Sequence, residues 1–160
     1  MMDEQHIASA FDRDLEAIQA RIMKMGGMVE VAIRDSARAL ETRDEELAQE
    51  VRAKDKSIDA LEELINEETA RLIALRSPAA SDLRLVLSVM KIAGNLERIG
   101  DYSKNIAKRT GVIADSPAVS DSAAALRRMA REVERMLKDA LDSYIRRDAE
   151  LASDVIARDL

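Results

Sequence analysis

Apolar residues recur every three or four positions over most of this 160-residue chain, which is typical of long amphipathic α-helices. The pattern is clearest in two segments, whose apolar positions are Leu47, Val51, Ile58, Leu61, Ile65, Leu72 and Leu75, and then Leu83, Val86, Leu87, Met90, Ala93, Leu96 and Gly100. Each predicted helix therefore has one apolar face that another helix must cover.

Capping residues and prolines divide this pattern into five helices. Asp44 and Asp148 suit the N-cap position, and proline follows serine at 77–78 and at 116–117. Gly111 marks the predicted end of the third helix. These signals predict helices over 5–41, 45–76, 78–110 and 117–146, and a fifth helix from 148. Because short connections make consecutive helices antiparallel neighbours, we predict an all-α antiparallel bundle.

The chain also begins to repeat itself. Residues 147–159 are identical to residues 43–55 at eight of thirteen positions, at an offset of 104. The first and fourth predicted helices keep apolar residues at the same offset, in the pairs Ile22/Leu126, Met25/Met129, Val29/Val133 and Ile33/Leu137. The repeating unit is a three-helix bundle, so we predict a complete first repeat over 1–112 and an incomplete second repeat over 117–160.

Composition narrows the class of protein. The net charge is −6 and aromatic residues make up 2%, so the chain lacks the basic face and stacking side chains that nucleic-acid binding needs. No apolar run approaches the roughly 20 residues of a membrane span, and the N-terminus does not read as a signal peptide. Zero cysteines exclude disulfides and thiolate catalysis. We therefore expect a cytoplasmic protein that neither inserts into a membrane nor binds nucleic acid.

Four carboxylates stand out by their spacing. Asp55 and Asp59 lie four residues apart, as do Glu97 and Asp101. The two side chains of each pair are therefore expected on one helical face, about 6 Å from each other. Since the second and third helices are predicted neighbours, the two pairs could face each other. Four carboxylates are hard oxygen donors, which suit Mg, Mn, Ca or non-haem iron. The pattern is compatible with a metal site.

Two simpler interpretations of these acids stay open. In a chain with 31 acidic residues, several such pairs arise by chance and lie on a solvated face. The acids could also form salt bridges with Arg98, Lys104 or Lys108, which follow in the same helix.

Gly26 and Gly27 interrupt the first predicted helix, between methionines that we assign to the core. A glycine inside a helix costs roughly 1 kcal/mol relative to alanine, so we expect close packing against another helix, or a hinge used in partner binding. No Glu-x-x-His motif, phosphate-binding loop or Ser/His/Asp set occurs. We therefore predict a protein that is not an enzyme, because a metal-dependent hydrolase would also need a base, a nucleophile and a substrate pocket.

Three segments together resemble the PhoU family of bacterial phosphate transport accessory proteins. They are MKMGGMVE (23–30), DKSID (55–59) and SDLRLVLSVMKIAGNLERIGD (81–101), and the resemblance extends over the whole chain. It implies two tandem three-helix bundles, of which the second is incomplete here, since Asp159 stands where Asp55 stands in the first and the chain then ends.

The resemblance also implies a function and a site. The family's E(D)xxxD signature matches Asp55 with Asp59 and Glu97 with Asp101, which would bind Mg, Mn or Fe. The implied role is a negative regulator of the phosphate-starvation response and of phosphate uptake, peripheral to the inner membrane through its partners. Those partners would be the phosphate ABC transporter ATPase, a sensor histidine kinase and a second copy in a homodimer. The alternative is a helical scaffold or oligomerisation module that binds no metal.

Overall fold

The computed structural model describes residues 2–117 and 120–159, and describes side chains for 9–117 and 122–159. Within these ranges the chain forms five helices and no strand, namely α1 (Met2–Thr42), α2 (Glu45–Arg76), α3 (Ala80–Ile113), α4 (Ser120–Arg146) and α5 (Ala149–Arg158). The predicted all-α fold is confirmed. The predicted start of the fourth helix falls partly on residues 118 and 119, which lie outside the described residues.

Helices α1, α2 and α3 form an antiparallel bundle in which each helix packs on the other two, as predicted. Helix α4 then packs antiparallel on α1, and α5 packs on α4. The division into repeats at 1–112 and 117–160 stays a prediction. Across the described part of the chain, no helix has both the length and the apolar character needed to cross a membrane.

The core lies between α1, α2 and α3 and is built from aliphatic side chains. The residues with almost no exposed surface include Ile22, Met25, Val29, Ile58, Ile65, Val86, Val89 and Ala93. Most of the predicted apolar positions are buried or half-buried, but Leu75 and Leu87 are 65% and 44% exposed. Burial of the apolar positions supplies most of the stability, because a long helix is marginal without a covered face.

The α1–α2 and α4–α5 connections have the same structure. Arg43 and Arg147 both adopt left-handed backbone conformations, with φ of 57° and 55°. Asp44 and Asp148 follow them, and each carboxylate accepts a hydrogen bond of 2.9 Å from the backbone amide three residues on. Both predicted N-caps are confirmed. The sequence repeat thus corresponds to a repeated turn.

Two predicted helix boundaries are wrong. Ser77 does not begin α3 but ends α2, with a left-handed φ of 46° and an N–H that donates to the Ile73 carbonyl. Pro78 therefore lies in the connection, and α3 begins at Ala80. Gly111 does not end α3, which continues to Ile113. A glycine terminates a helix by adopting positive φ, and no described glycine does so.

The internal repeat has unequal burial in its two copies. Met25 and Val29 of α1 are fully buried, whereas their counterparts Met129 and Val133 of α4 are 66% and 44% exposed. The reason is that α1 is surrounded by α2, α3 and α4, while α4 packs against α1 and α5. An apolar pattern therefore becomes core only where neighbouring helices enclose it.

The two adjacent glycines of α1 have different surroundings. A Cβ on Gly26 would overlap with Cδ1 of the buried Leu141 of α4. The expected close packing is confirmed at this position. A Cβ on Gly27 would meet nothing within 4 Å, so packing does not account for that glycine. The hinge stays a prediction.

The replacement Gly27→Ala should raise the free energy of unfolding by about 1 kcal/mol, because alanine is the better helix former and finds open space there. Gly26→Ala should gain less or lose stability, since its methyl group must displace Leu141. Urea unfolding followed by circular dichroism measures both. Equal stabilisation by the two variants would contradict the close α1–α4 packing.

Candidate functional site

Asp55 lies in α2 and is buried, with 3% of its surface exposed. Its Oδ2 accepts a hydrogen bond of 2.6 Å from the ammonium of Lys104 in α3. Gly100, one helical turn before Lys104, lets the helices approach here, since a Cβ on it would lie 3.2 Å from Ile58 Cδ1 and 3.7 Å from Asp55 Oδ1. A buried carboxylate and a partly buried ammonium therefore join α2 to α3.

Only one oxygen of this carboxylate is satisfied. Oδ1 of Asp55 has almost no solvent-accessible surface, and no hydrogen-bond partner is found for it in the described part of the chain. Leaving a buried charged oxygen without a partner is costly. Because Oδ1 is buried, a donor or a cation would reach it only after neighbouring side chains move.

The other predicted acids continue from Asp55 along the α2–α3 contact. Asp59 follows one turn later in α2 and is half-buried. Asp101 of α3 approaches the Lys104 ammonium at 3.9 Å and accepts a hydrogen bond of 3.4 Å from the Asn105 amide. One ammonium thus lies between two of the carboxylates that the sequence singles out.

The fourth predicted acid, Glu97, has a neighbour that the sequence analysis missed. Burial raises the pKa of the Glu97 carboxyl, and the carboxylates of Glu62, Asp59, Asp101 and Asp55 raise it further, in that order. Glu62 lies three residues after Asp59 on the same face of α2, and a Cβ on Gly94 would come within 3.7 Å of its Oε1. That i to i+3 spacing was the signal available in the sequence.

The acids repel one another. Burial raises the pKa of Asp59 above its ordinary 3.8, and Asp55 raises it further, while Lys104 opposes the rise. Burial likewise raises the pKa of Glu62 above 4.5, with Asp59 the next cause. The hydrogen bond to Asp55 raises the pKa of Lys104, which therefore stays charged. One ammonium leaves this line of carboxylates with excess negative charge.

Asp55, Asp59, Glu62, Glu97 and Asp101 fit a hard cation by their chemistry, since all supply carboxylate oxygens and one buried oxygen lacks a partner. Their arrangement does not form a ready site. Within 9–117 and 122–159, no three His, Cys, Asp or Glu side chains converge on a point where an ion could bind. A cation would therefore need the Lys104 ammonium to leave and the carboxylates to rotate inward.

The model of the PhoU domain matches residues 22–110 and 126–160 of this chain. The chain is 40% identical over 154 residues to the phosphate-specific transport system accessory protein PhoU homolog of Pseudomonas putida, covering 96% of this chain and 60% of that protein. It is 37% identical over 155 residues to the accessory protein PhoU of Escherichia coli (strain K12), covering 97% of this chain and 64% of that protein.

Two solved structures are similar to this fold over most of the chain. The crystal structure of PhoU from Pseudomonas aeruginosa gives a TM-score of 0.85 at 38% identity, over 90% of this chain and 69% of that one. The crystal structure of the phosphate transport system regulatory protein PhoU from Streptococcus pneumoniae also gives a TM-score of 0.85. Its identity is 30%, over 93% of this chain and 70% of that one. The chain spans less than two thirds of the first two curated relatives, from P. putida and P. aeruginosa. On the family match, the shared bundle and the sequence identity together, this chain belongs to the PhoU domain family.

Proposed function

We propose that this chain acts as a negative regulator of phosphate uptake and of the phosphate-starvation response, without enzyme activity of its own. The PhoU domain match over 22–110 and 126–160 carries this proposal. Its relatives are named as accessory proteins of the phosphate-specific transport system. The proposed partners are the ATPase of a phosphate ABC transporter and a sensor histidine kinase, which would hold the chain at the inner face of the membrane.

Association with a second copy is part of the same proposal. Four large apolar side chains of α4 and α5 are exposed, namely Met129, Val133, Ile145 and Ile156 at 66%, 44%, 44% and 71%. Exposed apolar side chains on neighbouring helices favour association, because burying them removes apolar surface from water. A homodimer through α4 and α5 would cover them.

We propose Asp55, Asp59, Glu97 and Asp101 as ligands of Mg, Mn or Fe, with Glu62 as a fifth donor. A bound cation would supply positive charge that offsets the repulsion among these acids. The chain's own contribution is to hold the carboxylates on two packed helices, so that occupancy links α2 to α3. The excess of acids over the one ammonium supports this proposal.

The second candidate is a helical scaffold that binds no metal. The Lys104–Asp55 pair favours it, since a 2.6 Å hydrogen bond already supplies the buried carboxylate with a positive partner. The two candidates differ in what a cation does to stability. In the scaffold, adding metal would leave unfolding unchanged, whereas in the regulator it would stabilise the folded state by mass action.

The purified chain should bind the ATPase of a phosphate ABC transporter and the cytoplasmic part of a phosphate-sensing histidine kinase. Surface plasmon resonance with each immobilised partner measures this, and the ATPase of an unrelated ABC importer is the control. Absence of binding to both partners, or equal binding to the unrelated ATPase, would contradict the regulator proposal.

Mn²⁺, Mg²⁺ or Fe³⁺ should raise the melting temperature of metal-stripped protein, and the double variant Asp59→Asn with Glu97→Gln should lose that response. The variant removes two charges while keeping side-chain shape. A matched control, Glu16→Gln with Glu67→Gln, removes two charges from exposed positions and should respond as the parent does. Differential scanning calorimetry with each ion measures the melting temperature. If the parent protein melts at the same temperature with and without every ion, the scaffold is the better account.

Without metal, the same Asp59→Asn, Glu97→Gln variant should be more stable than the parent at pH 7, because the folded parent holds repelling, desolvated carboxylates. The pKa values of both groups are raised on folding above 3.8 and 4.5, so the folded state takes up protons first as pH falls. The difference in free energy of unfolding between the variant and the parent should therefore become smaller as the pH falls through the raised pKa values of Asp59 and Glu97. A constant difference would contradict the repulsion.

The replacement Lys104→Met should lower the free energy of unfolding of metal-free protein by about 2 kcal/mol, since it leaves the Asp55 carboxylate buried without its cation. It should also enlarge the rise in melting temperature that Mn²⁺ causes, because the competing ammonium is gone. Lys108→Met, one turn further along α3 and exposed, is the matched control. A smaller Mn²⁺ response in Lys104→Met than in Lys108→Met would show that the two cations do not compete.

A further inference from the structure

The outer face of α3 consists of the exposed residues of this helix between positions 84 and 112. Five of them are basic and none is acidic, the basic ones being Arg84, Lys91, Arg98, Lys108 and Arg109. The exposed residues of α2, by comparison, include five acids and four basic residues. In a chain of net charge −6, this one helix presents only positive charge to solvent over the length of its outer face.

The basic residues follow the helix at regular intervals. Arg84, Lys91 and Arg98 are separated by seven residues, which is two helical turns or about 10 Å. Arg109 comes three turns after Arg98, so the outer face extends over about 37 Å. Residues at such intervals lie on the same side of an α-helix, so these four charges can contact one surface together.

The four charges are not used inside the chain. Among the described side chains of 9–117 and 122–159, no carboxylate forms an ion pair with the basic residues at 84, 91, 98 and 109. The acids on either side of Arg98 are Glu97 and Asp101, and both are half-buried near the α2–α3 contact. The basic side chains therefore remain available to a partner with negative charge.

Apolar and aromatic side chains lie between the charges. Leu87, Tyr102, Ile106 and Val112 belong to the same outer face and are 44%, 58%, 37% and 70% exposed. Tyrosine combines an apolar ring with a polar hydroxyl and is enriched where proteins meet the headgroup region of a membrane. Basic and apolar residues on one helix face favour an anionic lipid surface, since charge attraction and apolar burial both strengthen binding there.

The outer face of α3 lies apart from the cavities of the molecule. Four cavities of about 240 to 510 Å³ in the described part of the chain include none of its residues. The one of about 420 Å³ between α1 and α2, beside Gly27, takes only the buried Gly100 from α3. A small anion would reach one or two of the basic residues, whereas a flat surface can contact all four.

The length of the outer face distinguishes a lipid surface from an acidic protein. A protein partner would need carboxylates at matching intervals along about 37 Å of rigid structure. Lipid headgroups diffuse within the leaflet, so they can gather wherever the basic side chains lie. The guanidinium groups of Arg84, Arg98 and Arg109 also suit phosphate, to which arginine donates two parallel hydrogen bonds.

We propose that the outer face of α3 binds directly to an anionic phospholipid surface. Because basic side chains contact the lipid phosphates, the interaction needs neither a metal ion nor a protein partner. It goes beyond the proposed function, in which protein partners hold the chain at the membrane, and it does not rest on that function.

The probe is a vesicle of phosphatidylcholine that contains about one third phosphatidylglycerol, and vesicles of phosphatidylcholine alone are the control. Metal-stripped protein in the presence of a chelator should sediment with the anionic vesicles and stay in solution with the neutral ones. Binding should weaken as the salt concentration rises, because salt screens the attraction between exposed charges.

Replacing the four basic residues together should weaken binding to the anionic vesicles at least roughly tenfold, since each basic residue near an anionic leaflet strengthens binding. The variant carries Arg84→Gln, Lys91→Gln, Arg98→Gln and Arg109→Gln. All four side chains are exposed, so the variant should fold as the parent does, which circular dichroism checks.

The matched control removes the same amount of charge from exposed positions of α1 and α2. It carries Arg38→Gln, Arg52→Gln, Lys56→Gln and Arg71→Gln. Its affinity for the anionic vesicles should stay within roughly threefold of the parent, because these residues do not belong to the outer face of α3. Equal weakening by the two variants would show that only net charge matters and would overturn the inference.

Two further results would overturn it. The first is the absence of parent protein from the sedimented anionic vesicles, and binding of poly-L-glutamate in that case would identify an acidic protein as the partner. The second is binding that requires Mn²⁺ in place of the chelator, since a metal would then bridge the lipid to the acids. Binding to the transporter ATPase is measured without lipid, so failure here is distinct from failure of the proposed function.

Discussion

The rest of the structure depends on the enclosure of α1. Its apolar residues Ile22, Met25 and Val29 have no exposed surface, because α2 and α3 cover one side of the helix and α4 covers another. Gly26 permits the α4 contact by leaving room for Leu141. Because the buried apolar residues of α1 face more than one neighbour, they need several helices around them, and this need holds the fourth helix to a bundle of three.

The same packing determines which charged side chains are buried where α2 contacts α3. Close approach at Gly100 buries Asp55, and burial makes its charge costly unless a partner is near. Lys104 supplies that partner at one oxygen. The other oxygen has no hydrogen-bond partner among the residues that the structure describes, and Asp55 is also one of the residues that line the cavity between α1 and α2.

The internal repeat shows how equal sequences acquire unequal environments. The two turns that follow Arg43 and Arg147 are the same in backbone and capping, since such turns depend on local hydrogen bonds. The helices that precede them differ in burial, with Val29 enclosed and Val133 partly exposed. Local structure repeats wherever the sequence does, whereas burial depends on how many helices surround each copy.

The sequence by itself determined the helical class, four of the five helices to within a few residues, and the Asp44 and Asp148 caps, because periodicity and capping act over neighbouring residues. It also placed Asp55, Asp59, Glu97 and Asp101 on facing helices. Only the tertiary structure decided that Lys104 would pair with Asp55, that Glu62 would join the acids, and that a cavity would open beside Gly27. Those outcomes depend on the register between α1, α2 and α3, which arises from side-chain packing between segments far apart in the chain.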